Sequence, residues 1–176
     1  VIIKPIKIFP YVKMSIINTS ISILRLLPLL TSSWVLAFAY DEHIFLGTWT
    51  RPEYKQVANI HLPAWFQLWG RRGRWTILLG YPSNYLLAIL NLLVARSNLY
   101  AIGATKWYAL GLLFSFGHIA IFGKTAIGLL ADIKNDRPKG NSTHSMEVWL
   151  KMNMIRAFTT DLPAWLCFAI AVVKGL

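Results

Sequence analysis

Four stretches of this chain, roughly Ile21 to Phe45, Trp75 to Ala95, Trp107 to Leu130 and Met154 to Val173, are each long and apolar enough to cross a bilayer. A spanning helix needs about 20 mainly apolar residues, and in hydrocarbon every backbone amide must find its partner inside the protein. The expected fold class is therefore all-α, an integral membrane four-helix bundle forming a single domain over residues 1–176. Pro28, Pro82 and Pro163 fall inside the spans, where neighbouring helices can re-satisfy the freed carbonyls. No internal repeat or low-complexity stretch divides the chain.

Composition decides between partners. Hydrophobic residues make up 56% and charged residues 14%, against roughly 25% charged in an average soluble domain. Eighteen Lys and Arg against seven Asp and Glu leave a net charge of +11. In a soluble protein that excess points to nucleic acid. Here apolar runs fill the chain between the charges, so the expected partner is the lipid bilayer, whose anionic headgroups attract juxtamembrane cations, and no nucleic acid is expected. Cys167 is the single cysteine and lies in an apolar run, which excludes an intrachain disulfide framework or thiolate metal site. The segment Val1 to Lys13 has three Lys and no acid. It lacks a separate apolar core followed by a small-residue cleavage site, so it does not read as a signal peptide, and Met14 is an alternative start to Val1.

The first loop, Leu46 to Arg74, reads as more than a connector. Pro52 starts a short mixed segment, and Ala64-Trp65-Phe66-Gln67-Leu68-Trp69 follows Pro63. Trp beside Arg71, Arg72 and Arg74 suits a membrane interface, so an interfacial aromatic first loop is expected. The third loop, Ala131 to Leu150, is polar, with a turn at Asp136 to Asn141. Arg51, Lys55, Arg71, Arg72, Arg74, Lys134, Arg137, Lys139 and Lys151 flank these two loops, nine cations against six on the other side (Lys4, Lys7, Lys13, Arg96, Lys106, Lys174), or three if the chain starts at Met14. Arg25, near the far end of the first span, stands outside both counts and narrows the margin. The bias places the first and third loops in the cytoplasm, with the endoplasmic reticulum or another internal membrane as the expected location. Glycosylation at the sequon Asn141-Ser142-Thr143 would overturn that topology.

Charge or imidazole within a span is expensive enough to mark a functional-site hypothesis. On the third span Gly111, Ser115, His118, Phe122, Thr125 and Asp132 share one helical face; on the fourth, Trp149, Asn153, Arg156 and Thr160 do, with Asp161 about 100° further round. Tyr81, Asn84 and Asn91 share a face of the second span, and Trp34, Phe38, Asp41 and Phe45 one of the first. At about 1.5 Å per residue, counting inward from the first and third loops puts Asp41 roughly 6 Å deep, Arg156 roughly 9 Å, Asn84 roughly 13 Å, Asp161 roughly 16 Å and His118 roughly 18 Å. All lie toward the same side of the membrane, and His118, Asp161 and Asn84 come out nearly level. A His with a nearby carboxylate can act as a base near neutral pH, and an Arg can hold a phenolate, enolate or carboxylate. His118, Asp161, Arg156 and Asp41 are thus the candidate catalytic residues. Trp34, Tyr81, Asn84, Phe122, Trp149 and Asn153 are the candidate substrate-binding residues.

The same polar groups could instead be helix–helix glue. His43, His61 and His144 sit at a helix end or in loops, and Lys124 falls off the His118 face. No metal site is expected: paired Glu-x-x-His motifs for a di-iron bundle are absent, and His118 has no imidazole partner at its depth for a haem. Neither a Gly-rich nucleotide loop nor a nucleophile elbow occurs.

Trp65-x-x-Leu68-Trp69 followed by Gly70, Trp107 opening the third span, and Trp149-Leu150-Lys151-Met152-Asn153-Met154-Ile155-Arg156 opening the fourth resemble the small four-helix membrane family that includes the fungal anthrone oxygenases. The resemblance covers most of the chain after about Leu30. It implies secondary-metabolite tailoring without an evident cofactor, with O₂ as co-substrate: His118 or Asp161 as base and Arg156 as anion clamp. Asn153 stands where members of that family often carry His, and Gly70-Arg71-Arg72-Gly73-Arg74 replaces a His-rich stretch of some members.

The reading is a membrane-embedded, cofactor-independent tailoring enzyme that uses acid/base chemistry on a lipophilic polyketide or terpenoid intermediate, by oxidation or by isomerisation or cyclisation. The alternative is a non-catalytic structural subunit or assembly factor of a larger membrane complex. A transporter is disfavoured, since no inverted repeat or broken helix pair is visible. Association into a homo-oligomer is left open.

Overall fold

The computed structural model describes residues 9–94 and 96–175, with side chains from residue 17 onward. Val1, Lys4 and Lys7 lie outside the described residues, and Lys13 and Met14 are described by backbone alone. Helix α1 runs Phe9–Gly47, α2 Lys55–Leu93, α3 Arg96–Ala101, α4 Thr105–Lys134, α5 Ser142–Arg156 and α6 Leu162–Gly175. Two short 3₁₀ turns, Thr48–Thr50 and Pro52–Tyr54, join α1 to α2, and a π-helical turn, Ala157–Asp161, fuses α5 and α6. Four helical segments are long and apolar enough to cross a membrane: Ile17–Thr50, Pro52–Leu93, Thr105–Lys134 and Ser142–Gly175. In contact order α1 packs on α2, α2 on α4, α4 on α5 and α6, and these back on α1. The result is an all-helical four-span bundle.

The helices are longer than the apolar windows. Residues 55–74, expected as loop, are the first half of α2, because Ala58, Leu62 and Phe66 continue a buried stripe every four residues. The exposed Arg71, Arg72 and Arg74 do not break the helix, since water and headgroups solvate one face while the other stays packed. Residues 142–150 likewise belong to α5, which leaves only 135–141 as the third loop.

The aromatic cluster is therefore helical in origin but sits near the first loop. Trp49 of the 3₁₀ turn meets Trp65 with ring centroids 5.0 Å apart, Trp69 lies 5.3 Å from Phe66, and Phe38 of α1 stacks on Trp69 at 6.2 Å. These rings cover a core of Leu46, Leu62, Phe66, Ile133, Met146, Trp149 and Leu150. At the opposite end the core is built from Ala88, Leu99, Ala104, Tyr108, Ala164, Phe168 and Ala171. Small residues there let backbones approach, as in other membrane bundles. A Cβ added at Gly111 of α4 would run into the Phe168 ring of α6. Polar side chains tie the helices further: Asn91 of α2 donates to the Leu24 carbonyl at 2.8 Å, Tyr108 of α4 to that of Arg25 at 2.8 Å, and Arg25 to that of Gly175 at 2.5 Å.

Candidate functional site

Between the two apolar layers lies a polar one, contributed by all four spans. Glu42 comes from α1, Tyr81 and Asn84 from α2, Ser115 and His118 from α4, and Asn153, Arg156, Thr160 and Asp161 from the last span; each is at most 6% exposed.

At its centre His118 Nδ1 lies 2.6 Å from Asp161 Oδ1. The contact fixes the ring's orientation and tautomer, as a carboxylate does for a catalytic imidazole. Arg156 links the neighbours. Its Nε is 3.7 Å from Asp161 Oδ2, its Nη2 3.9 Å from Glu42 Oε2, and it donates to Asn153 Oδ1. Asn153 in turn donates to the Ala39 carbonyl at 3.2 Å, and the Arg156 guanidinium rests over the Trp149 ring at 5.5 Å. Tyr81 packs its ring against His118 with centroids 3.9 Å apart.

The π turn explains how two charges five positions apart meet. In an α-helix five residues advance the chain so that Arg156 and Asp161 would point about 140° apart. The wider turn at Ala157–Asp161 brings them to one side, and Thr160 Oγ1 donates to the Arg156 carbonyl at 2.7 Å inside it. Such turns recur at functional sites because they aim a side chain that regular helix would misplace.

Of the residues singled out from the sequence, His118, Asp161, Arg156, Tyr81, Asn84, Trp149 and Asn153 converge here. Two do not. Asp41 and Trp34 lie on the exposed face of α1, Trp34 at 45% exposure. The buried face of α1 is one position round, carrying Ser32, Val35, Ala39, Glu42 and Leu46. Glu42 therefore occupies the place expected of Asp41. Its signal was a carboxylate on a stripe of small and aliphatic residues, set against the heavier aromatics of the neighbouring face. Phe122 is half-buried one helical turn beyond His118, toward the loops, outside these contacts. His43, His61, His144 and Lys124 are exposed.

Three spaces adjoin the layer. An apolar groove of about 520 Å³ runs along α1, the π turn and α6, from His43 past Ala39 and Asn153 to Trp165. A second space of about 410 Å³, rimmed by Arg71, Arg74 and Lys134, reaches Glu42 from the loop end. The third is a small pocket bordered by Tyr81, Asn84, Ser115 and Asp161. The polar groups thus touch one another, as a packing role requires, yet several atoms make no hydrogen bond: Tyr81 Oη, Asn84 Oδ1, Ser115 Oγ, and the ion-paired Arg156 Nε and Asp161 Oδ2. Among the described residues, no group of three or more His, Cys, Asp or Glu is placed to hold a metal ion.

This chain is 50% identical over 163 residues to the epoxidase pydX of Acremonium sp, covering 93% of this chain and 100% of that protein. It is 53% identical over 158 residues to the probable epoxidase scpX of Mollisia scopiformis, covering 90% and 99% of the two chains. To the epoxidase gkaX of Penicillium citrinum it is 46% identical over 160 residues, covering 91% and 99%. These relatives are described as epoxidases or a probable epoxidase, so they support the broader expectation of a membrane tailoring enzyme of secondary metabolism and not anthrone oxygenases in particular. No family model matches the chain, and no solved structure does.

Proposed function

The chain belongs to the family of membrane proteins that includes these fungal epoxidases, and on that premise we propose that it is a tailoring enzyme epoxidising a carbon–carbon double bond of a lipophilic secondary-metabolite intermediate. The observation that carries the reading is the His118–Asp161 pair, buried within the spans and adjoining Arg156. Ionisable groups at that depth are costly and are retained where chemistry needs them.

The pair acts as the base. It removes an acidic C–H proton from the substrate, and Arg156 holds the resulting enolate or phenolate. Tyr81, Asn84, Trp149 and Asn153 position the substrate. The electron-rich carbanion reduces O₂ to a substrate hydroperoxide, with the abstracted proton ending on its outer oxygen. The O–O bond then breaks as that outer oxygen adds to the double bond, and the inner oxygen remains as a hydroxyl. Both atoms of O₂ are accounted for, so O₂ is the one co-substrate and no bound cofactor takes part in this scheme. A site within the bilayer lets the substrate partition from lipid directly, and the excess of Lys and Arg around the first and third loops supports a cytoplasmic side for them.

Gene deletion in the host organism, followed by restoration with wild type or His118→Ala under heavy-oxygen O₂, tests the reading. The expected result is loss of one lipophilic product, restored only by wild type and carrying both labelled atoms. A single labelled atom would replace the hydroperoxide route with one drawing on an external reductant. An unlabelled product would mean isomerisation or cyclisation, and unchanged metabolites would return the protein to a structural role.

A further inference from the structure

Outside the polar layer, two spaces on one side of the bundle join end to end. The apolar groove beside α1 reaches His43 at its loop end, and His43 also borders a recess of about 680 Å³ lined by Gly47, Arg51, Glu147 and Lys151. Groove and recess differ in chemistry. The groove wall is carbon from Leu36, Ala37, Met154, Ala157, Phe158 and Leu162. Its inner polar groups are already engaged: Trp165 Nε1 donates to Ser33 Oγ at 2.8 Å, and Asn153 donates to the Ala39 carbonyl and accepts from Arg156. The recess instead carries two exposed cations. Among the described residues, Arg51 and Lys151 are in no ion pair, whereas the carboxylate of the recess, Glu147, is paired with Lys55 at 3.2 Å.

We propose that one anionic phospholipid occupies this continuous site, with its phosphate between Arg51 and Lys151 and one acyl chain along the groove. The dimensions fit a lipid of a single leaflet. At about 1.5 Å per residue the groove's run along α1, from His43 to Ser33, is about 15 Å, half of the roughly 30 Å hydrocarbon core. Ser33 lies at the middle of the span Ile17–Thr50, so the groove ends near the bilayer midplane while the recess sits at its edge. An anionic head uses both uncompensated cations, which a neutral lipophile leaves idle. Neither His118 nor Asp161 borders the groove, so its occupant is a bound lipid and not the molecule undergoing reaction. The chain lies across the seam between α1 and the last span, and braces the two helices that carry Glu42 and Arg156.

The test needs no substrate, so it does not depend on the epoxidation reading. Native mass spectrometry of the full chain, released from detergent holding equal amounts of phosphatidylglycerol and phosphatidylcholine, counts the lipid that stays bound. Wild type should keep one phosphatidylglycerol, favoured over phosphatidylcholine by at least about tenfold, since each cation near an anionic headgroup is worth about fivefold. Arg51→Gln combined with Lys151→Gln should bring that preference close to parity. Ala37→Phe, at an exposed position lining the groove, should lose the bound lipid while helicity by circular dichroism stays unchanged. Gly47→Leu, at a right-handed helical position where a Cβ meets nothing within 4 Å, should do the same from the recess. Glycerol 3-phosphate, which has the head without the chain, should displace none of it. Equal retention of the two lipids by wild type, an undiminished preference in the double variant, or unaltered retention in both blocking variants overturns the proposal. So does displacement by glycerol 3-phosphate, or by an equal amount of farnesol, a neutral lipophile, which would give the groove to uncharged substrates.

Discussion

The two apolar layers of the bundle differ in how they fill space. At the end away from the loops, Ala88, Ala104, Ala164 and Ala171 surround Tyr108 and Phe168, and Gly111 brings α4 against the Phe168 ring. At the loop end, Trp49, Trp65 and Trp69 pad a core of Leu46, Phe66, Met146 and Trp149, and a space opens there that reaches Glu42 from Arg71 and Arg74, while a second groove runs beside the polar layer along α1 past Asn153. Backbones in close approach cannot part cheaply, whereas rings on a bundle rim can rotate to admit a molecule. The tight end fixes the helices, and the open end gives the polar layer between them its access.

This division makes the largest predicted effect one on chemistry without unfolding. Asp161→Asn and His118→Ala should each lower epoxide formation by at least about 1000-fold, combining loss of the base with loss of charge stabilisation. Circular dichroism and the detergent unfolding midpoint should stay near wild type, because the tight layer is untouched. Full turnover in both variants would sink the assigned base.

The converse change belongs to the tight end. Phe168 is fully buried, and Phe168→Ala should cost about 3–5 kcal/mol of stability, as truncation of a packed core aromatic does. Protein that remains folded at low temperature should retain its rate per folded molecule. A fall in that rate without loss of stability would place the chemistry at the other end of the bundle.

The polar layer was legible in the sequence where regular helix applied. Tyr81, Asn84 and His118 fall on the faces that a 3.6-residue period assigns them, and depth counts from the loops brought His118 level with Asp161. Two features escaped. The π turn at Ala157–Asp161 breaks the period inside a span, and no local residue pattern announces it. On α1 the aromatic face of Trp34, Phe38 and Phe45 outweighed the quieter stripe of Val35, Ala39 and Leu46, which shifted the acidic candidate by one residue. In a soluble helix the larger side chains would be the buried ones. In lipid, small residues mark the protein-facing side and large rings can face hydrocarbon. Helix lengths were also underestimated, since a hydropathy window ends where charge begins but α2 continues through Arg71, Arg72 and Arg74.

Glu42 and Asp41 sharpen this point because they are adjacent in sequence and opposite in environment. Glu42 is 3% exposed and 3.9 Å from Arg156, whereas Asp41 faces outward. Glu42→Gln should lower turnover roughly 10- to 100-fold by removing one of the two carboxylates that hold Arg156, and Glu42→Asp should recover part of it. Asp41→Asn should stay within about twofold of wild type. Equal losses from the two variants would mean that α1 is rotated from the orientation described.

The smallest effect is expected where opposite charges meet outside the layer. Lys55 Nζ lies 3.2 Å from Glu147 Oε1, joining the start of α2 to α5, but the two side chains are 43% and 42% exposed. Water and salt screen such a pair, and holding two long side chains costs entropy that offsets most of the attraction. Lys55→Ala should change stability by no more than about 0.5 kcal/mol and leave turnover unaltered. The comparison with Arg156 is then direct: both are cations facing carboxylates across helices, and burial alone separates a contact that supports the reaction from one the bundle can lose. A large loss of turnover in Lys55→Ala would show instead that the loop-end contacts between α2 and α5 set the geometry of the site.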